Sequence, residues 1–304
     1  MNVLSLFDGM SGGQLALERA NIKYNKYFAS EVYEPAIKIT QKNYPNTIQL
    51  GDVAKIDENV LKKLPKISLL IGGSPCQNLS IAVINNPEHN QGLKGKKSSL
   101  FYEYIRILRW LKQNNNENIK FMLENVGSMK NKDKDIITQV LSVEPLKIDS
   151  NLVSAQDRKR YYWTNINVKE LPKDKGIALK DIMLSAEEVD KLENGRSKFW
   201  YDKTFDYHGN NKKVIATLHL KGHDILKRVY NPNGKCGTLT ACRGGNLQKK
   251  VFQAGRCRKL TPIEYERLQT VPDNYTEGVA NTHRYNMLGD GWTVDVIAHI
   301  FKHI

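Results

Sequence analysis

Short apolar runs alternate with helix-spaced apolar positions through the first half of the chain. Val3–Phe7 reads as a buried strand ending in the turn Asp8-Gly9-Met10-Ser11-Gly12-Gly13, and Ala16, Leu17 and Ala20 then share one helical face. Tyr27–Ser30 and Thr47–Leu50 read as the second and third strands. Asp57 is placed to cap a helix carrying Val60, Leu61 and Leu64, and Ile67–Ile71 is a fourth strand stopped by Gly72-Gly73. Ser98 or Ser99 starts the longest helix, with Leu100, Phe101, Tyr104, Ile105, Leu108 and Leu111 at helical spacing, and Ile119–Leu123 is a fifth strand ending at Glu124-Asn125. Strands alternating with helices predict a mostly parallel sheet covered on both faces. This is a doubly wound, Rossmann-like α/β fold, whose ligands bind beyond the carboxyl ends of the strands.

The rhythm stops after residue 167. Residues 194–257 are rich in Gly, Asn and Lys, with short β-like pieces such as Val214–Leu220, and predict a smaller, irregular β-containing domain. Regularity returns at Thr261-Pro262-Ile263-Glu264, which supplies a capping hydroxyl, a proline in the first turn and a glutamate reaching back. The last helix, Val294–Ile304, carries Val294, Ile297, Ala298 and Phe301 on one face. The expected division is 1–167 for a cofactor-binding domain, 168–273 for the irregular domain, and 274–304 for a segment returning to the first.

Composition narrows the class. The chain has 304 residues, 40% of them hydrophobic and 26% charged. No stretch approaches the roughly 18 apolar residues of a membrane helix, and the start lacks a basic, then apolar, leader. A cytoplasmic protein without membrane contact is expected. Cys76, Cys236, Cys242 and Cys257 form no C-x-x-C pair, so neither a disulfide scaffold nor a structural zinc site is predicted and no metal is required. His219-x-x-x-His223 falls in a β-like segment and reads as a surface pair. The net charge is +14, and residues 194–260 hold fifteen Lys/Arg against three acids, interleaved with Phe199, Trp200, Tyr201, Tyr207 and Tyr230. Such a segment is a candidate phosphate-binding surface, or simply a solvated basic face.

The strand ends carry the candidate chemistry. Gly9-x-x-Gly12-Gly13 allows close approach to a cofactor but is not the G-x-G-x-x-G of nicotinamide enzymes. Glu31 ends the second strand, where an acid can bond ribose hydroxyls, and Asp52 ends the third, within reach of an adenine edge. Together they describe a pocket for an adenosine-containing cofactor that need not carry phosphates, which S-adenosylmethionine fits. Cys76 follows a glycine turn and Pro75, at a cleft mouth where a thiolate can act as nucleophile. Glu124 ends the neighbouring strand, where partial burial would raise its pKa toward general-acid work.

These residues resemble the motifs of the cytosine-5 DNA methyltransferase family, in the family's order over nearly the whole chain. Phe7-Asp8-Gly9 and Gly12-Gly13 resemble its cofactor loop. Pro75-Cys76-Gln77 resembles its nucleophile motif and Glu124-Asn125-Val126 its acid motif. Gln156-Asp157-Arg158-Lys159-Arg160 resembles its Gln-x-Arg-x-Arg, and Arg258 to Gln269 followed by Pro272 its long motif after the recognition region. Thr238-Leu239-Thr240 resembles the Thr-Leu element inside that region. Ser11 adds a residue to the first motif, and Gly289-Asp290-Gly291-Trp292-Thr293-Val294 replaces the frequent Gly-Asn-x-Val; both resemble the vertebrate de novo branch.

The resemblance implies an S-adenosylmethionine-dependent methyltransferase fold with a target-recognition domain. It implies a covalent Cys76–C6 intermediate on a flipped cytosine, with Glu124, Arg158 and Arg160 as the other catalytic residues. The cofactor would be held by Phe7, Asp8, Gly9, Gly12, Glu31, Asp52, Pro75, Trp292 and Val294. Duplex DNA would be contacted by Gln77, Ser80, Lys235, Thr238 and Arg243, with Ser80–Lys97 as a closing lid. The enzyme is expected to act as a monomer on DNA, with or without a cognate restriction endonuclease. The alternatives are a transfer-RNA cytosine methyltransferase with the same motifs, and a catalytically silent DNA-binding relative.

Overall fold

The computed structural model describes residues 1–75, 100–193, 198–242 and 246–304. Cys76, Gln77, Ser80, the expected lid Ser80–Lys97, the helix cap at Ser98 or Ser99, and Arg243 lie outside the described residues. The chain divides into two compact units: Met1–Asp149 with Lys159–Leu171 and Asp295–Ile304, and Ser150–Arg158 with Pro172–Val294.

The first unit alternates β1 (Asn2–Leu6), α1 (Gly12–Arg19), β2 (Lys26–Ser30), α2 (Glu34–Asn43), β3 (Ile48–Gln49), α3 (Glu58–Lys62), β4 (Leu69–Gly73), α4 (Leu100–Asn114), β5 (Lys120–Val126), α5 (Asn131–Leu141) and β6 (Leu146–Asp149). After the second unit's β7 (Gln156–Asp157) the chain returns as β8 (Lys159–Thr164), and α9 (Val294–Phe301) ends it. The sheet order is β3-β2-β1-β4-β5-β8-β6. β1 to β5 run parallel, while β8 is antiparallel to both β5 and β6. The expected doubly wound fold is present, and its strand order reverses between β1 and β4, where such sheets open a crevice at their carboxyl ends. Asp57 caps α3 by accepting from Val60 N at 2.9 Å. Tyr161-Tyr162-Trp163 lies within β8, inside the sheet, with Trp163 fully buried. The fifth strand, expected to end at Glu124-Asn125, runs on through that pair to Val126. The core of this unit is apolar and continuous, from Leu4 and Leu6 through Leu70, Phe101, Tyr104 and Ile107 to Phe121 and Leu123.

The second unit contains a five-stranded sheet, ordered β14 (Arg256–Lys259), β13 (Lys250–Gln253), β11 (Arg228–Tyr230), β10 (Val214–Leu218) and β9 (Phe205–Tyr207). All pairs are antiparallel except β11 with β13. Three helices, α6 (Ala186–Leu192), α7 (Pro262–Leu268) and α8 (Asn281–Asp290), accompany it, and β12 (Cys236–Gly237) pairs with β7. Its apolar clusters are small, and buried polar hubs supplement them. Arg258 and Glu264, both fully buried, pair through two hydrogen bonds of 2.8 and 2.6 Å, and Glu264 also caps α7 through Thr261 N. Gln269 accepts from Gln156 Nε2 at 2.9 Å and donates to Leu288 O at 2.6 Å.

These bonds move the expected boundaries. Residues 150–158 were expected in the first domain, but β7 pairs with β12 and Gln156 donates to Leu268 O at 2.7 Å. The return to the first unit was expected at 274 and comes at Asp295, because α8 is tied to this unit through Gln269, and Tyr285 OH donates to Leu260 O at 2.8 Å.

Candidate active site

At the end of β1 the chain turns through three left-handed residues, Phe7, Gly9 and Ser11, with φ of 58°, 60° and 61°. Such geometry is strained for all but glycine, and two carboxylates hold it. Glu31, at the end of β2, takes Gly9 N on Oε2 at 2.7 Å and Val32 N and Tyr33 N on Oε1 at 2.8 and 2.9 Å. A carboxylate offers about four acceptor positions, so Glu31 retains room for roughly one further donor. A Cβ at Gly9 or Gly51 would meet nothing within 4 Å. The strand ends of β1 and β3 therefore face open space. Gly12 begins α1, and Gly13 has no room for a side chain: its Cβ would lie 2.5 Å from both Ile71 Cδ1 and Tyr27 OH. Asp52 follows Gly51 and accepts from Ala54 N at 3.0 Å. Val32, passed over in the sequence, is 65% exposed beside Glu31 and offers an apolar wall there.

Asp8 differs from the expectation of a cofactor-facing side chain. Its carboxyl is buried, Oδ1 accepts from Tyr27 OH at 2.7 Å, and Oδ2 has no hydrogen-bond partner. Burial, aided by the charge of Glu31, raises its pKa from 3.8 to about 6. The folded state therefore keeps this proton to higher pH than the unfolded chain does. By linkage, Asp8 costs stability progressively as pH rises from about 4 to about 6, and the cost then levels off. Asp8→Asn keeps an acceptor for Tyr27 without the charge. It is expected to gain on the wild type through that window, by on the order of 2 kcal/mol above pH 6. Urea midpoints at pH 4.5 and 7.5 check this, and parallel shifts in the two proteins would refute it.

Opposite the crevice from Glu31, the β4–β5 register sets Gly73 against Glu124. Asn125 Nδ2 donates to Ser74 Oγ at 3.0 Å and Ser74 O at 3.3 Å, fixing the backbone beside the half-buried Pro75. The sequence reading missed this work of Asn125, although its motif contained it. β8 lies beside β5 with Tyr162 opposite Glu124 and Arg160 opposite Val126. Residues two apart share a face of a strand, so Arg160 reaches Glu124 diagonally, Nε to Oε1 at 2.8 Å, with both side chains nearly buried. A buried carboxyl is thus held in one orientation by a guanidinium, on the strand next to the one leading into Cys76.

The other candidates fall in the second unit. Arg158 was expected beside Glu124 with Arg160. Its guanidinium is instead buried against backbone, donating to Leu239 O at 2.8 Å, Gly289 O at 3.2 Å and Gly291 O at 2.8 Å. The strand break between β7 and β8 turns the two arginines to different tasks. Lys235, expected to contact DNA, donates to Asn151 O and to Ser154 O, the latter at 3.0 Å. Thr238 donates to Asp157 O at 2.6 Å. Val294 is fully buried with its amide on Gln269 O at 3.0 Å, and Trp292 is half-buried. The basic segment is also less uniform than its composition. Lys198, Lys203, Lys212, Lys213, Lys221 and Arg256 are exposed, whereas Lys249, Lys250 and Arg258 are buried.

Comparison with known proteins agrees with this geometry. The chain is 26% identical over 330 residues to the type II methyltransferase M.HhaI of Haemophilus parahaemolyticus, covering 100% of this chain and 94% of that one. It is 30% identical over 304 residues to the orphan methyltransferase M.SPRI of Bacillus phage SPR, covering 83% and 66%. The fold is shared with a Spodoptera frugiperda DNMT2 structure (TM-score 0.68, 17% identity, 99% and 98% covered) and with the Entamoeba histolytica methyltransferase EhMeth (TM-score 0.67, 15% identity, 100% and 97% covered). The profile of the C-5 cytosine-specific DNA methylases matches residues 1–304 from end to end, and the chain belongs to that family of cytosine methyltransferases.

Proposed function

We propose that this enzyme methylates C5 of a flipped cytosine in a short duplex DNA site, with S-adenosylmethionine as methyl donor. The observation that carries the reading is the Arg160–Glu124 pair, one strand over from the Ser74-Pro75-Cys76 turn. The donor fits the open strand ends at Gly9 and Gly51, the remaining acceptor position of Glu31, Asp52 and the exposed Val32. When bound, it supplies an electrophilic methyl group.

Cytosine C5 is a poor nucleophile until C6 is attacked. The Cys76 thiolate would bond to C6 while Glu124 protonates N3, so that ring electrons collect at C5 rather than as charge on nitrogen. Arg160 keeps the Glu124 carboxyl aimed at that nitrogen. After C5 is methylated, loss of the C5 proton restores the double bond and expels the Cys76 thiolate, and N3 returns its proton to Glu124. Phe7, Gly9, Gly12 and Pro75 would shape the donor's cleft. Gln77, Ser80, Thr238 and Arg243 would meet DNA. The enzyme would act as a cytoplasmic monomer without metal, beside a restriction endonuclease or as an orphan.

A second reading, transfer RNA as substrate, is favoured by the likeness to the DNMT2 structure. The relatives named as a type II methyltransferase, matched over the whole chain, and as a phage orphan methyltransferase favour DNA. Labelled methyl transfer from S-adenosylmethionine to duplex DNA and, separately, to bulk transfer RNA tests the choice. Label in DNA is expected, with bisulfite sequencing then giving the site. Label in RNA alone would overturn the DNA reading.

A further inference from the structure

The three left-handed residues after β1 are each braced from a different element. The amide that follows Phe7, Asp8 N, donates to Ser30 O at 3.1 Å. Gly9 gives its own amide to Glu31 and takes Thr40 Oγ1 on its carbonyl oxygen at 3.2 Å. Ser11 stands at the head of α1 with φ 61° and ψ 43°, where a serine Cβ crowds the backbone and a glycine meets no such cost. A serine in this place ordinarily adopts extended backbone and caps its helix, accepting from an amide of the first turn. Ser11 makes no such cap. Its hydroxyl, fully buried, accepts instead from Gln14 Nε2 at 2.8 Å.

Gln14 is itself fixed on three sides. It is 2% exposed, and its Nε2 also donates to Thr47 Oγ1, just ahead of β3, at 2.8 Å. Its Oε1 accepts from Tyr24 OH at 2.7 Å, which settles which end of the amide is which and turns the nitrogen toward Ser11 and Thr47. The two bonds from that nitrogen do different work. The one to Thr47 joins α1 to the approach of β3 and is ordinary glue between elements. The one to Ser11 occupies the hydroxyl that would otherwise cap α1, and so removes the reward Ser11 would gain by leaving the left-handed region. Gln14 lies beneath the turn rather than at the open strand ends, so any influence it has on a ligand there passes through Ser11.

Resting on the cofactor reading above, we propose that Gln14 is a positioning residue for S-adenosylmethionine: by taking up the Ser11 hydroxyl it holds Ser11 left-handed and keeps the turn after β1 in the shape that receives the cofactor. The test is calorimetric titration of the full chain with S-adenosylmethionine, measuring the effect of Gln14→Met with Ser11 present and again in a Ser11→Gly background. Methionine fills the same volume without a donor. With Ser11 present, Gln14→Met is expected to weaken binding by about tenfold, the worth of one buried hydrogen bond. In the Ser11→Gly background the same change is expected to cost less than about twofold, because glycine occupies φ 61° unaided. Should Gln14→Met not fold, Gln14→Asn, whose amide sits on an arm one methylene shorter, takes its place in both backgrounds. Equal weakening in the two backgrounds would make Gln14 plain glue between α1 and Thr47 and overturns the proposal. Unchanged affinity with Ser11 present overturns it as well. So does a Ser11→Gly protein that binds no cofactor, which would give the role to the hydroxyl itself. A wild type that binds no S-adenosylmethionine removes the cofactor reading, an outcome distinct from these.

Discussion

Cys76→Ser and Glu124→Gln are expected to bind S-adenosylmethionine as the wild type does and to fail in methyl transfer, the first completely and the second by about 10²- to 10⁴-fold. The glutamine keeps the size of the side chain and an oxygen for Arg160 Nε, which sits 2.8 Å from Oε1 in the native protein. It cannot take or give the proton on which the ring's charge depends. The loss should appear in the single-turnover rate rather than in cofactor affinity, because Glu124 lies on β5 whereas the turn proposed to hold the cofactor is built by Glu31, Asp8 and Gly9. A Glu124→Gln protein within tenfold of the wild-type rate would exclude Glu124 as the proton donor. A fully active Cys76→Ser protein would exclude the covalent route altogether.

Gly289→Ala is expected to destabilise the second unit by about 3 kcal/mol or more. A helix ordinarily gains about 1 kcal/mol from replacing glycine by alanine, so the sign depends on the surroundings. At Gly289 a Cβ would stand 2.1 Å from Thr240 O, 2.2 Å from Thr240 C and 2.5 Å from Ala241 N. These are backbone atoms and cannot rotate away. Nor can the two segments part easily, since Arg158 bonds Leu239 O on one side and Gly289 O and Gly291 O on the other. Denaturant unfolding measures the loss, and hydrogen exchange should place it in α8 and around Thr240. A variant as stable as the wild type would show that the two segments are free to separate.

The fold of the first unit was legible because each of its long strands is an apolar run stopped by glycine or acid, as with Leu69–Gly73 before Ser74. Such runs are buried on both faces and differ sharply from the helices between them. β6 and the exact partner of β8 were not legible. An antiparallel strand inserted between two others obeys long-range pairing rather than local pattern. The proposed catalytic pair was visible as motif, yet its geometry rests on a diagonal between Arg160 and Glu124 that no spacing in the sequence expresses. Arg158 illustrates the opposite failure. It shares a motif with Arg160, two residues on, but a strand break turns it to backbone carbonyls. Lys235, Lys249 and Lys250 were counted as surface charge because composition does not record burial.

The chain's brief excursion through Ser150–Arg158 has a consequence for exchange of specificity between relatives. The second unit is not a single insertion but is stitched in twice, first by these nine residues and again by Pro172–Val294. A chimera cut at Pro172 would import a foreign unit while keeping the host's Gln156 and Arg158, whose bonds reach Leu268, Gln269, Leu239 and Gly289. Transplants should therefore succeed only for a stretch that begins after α6 and ends before β12, with Leu239 and the later partners of Gln156 and Arg158 left native. New recognition can evolve there by shuffling, while the segments on either side must change together or not at all.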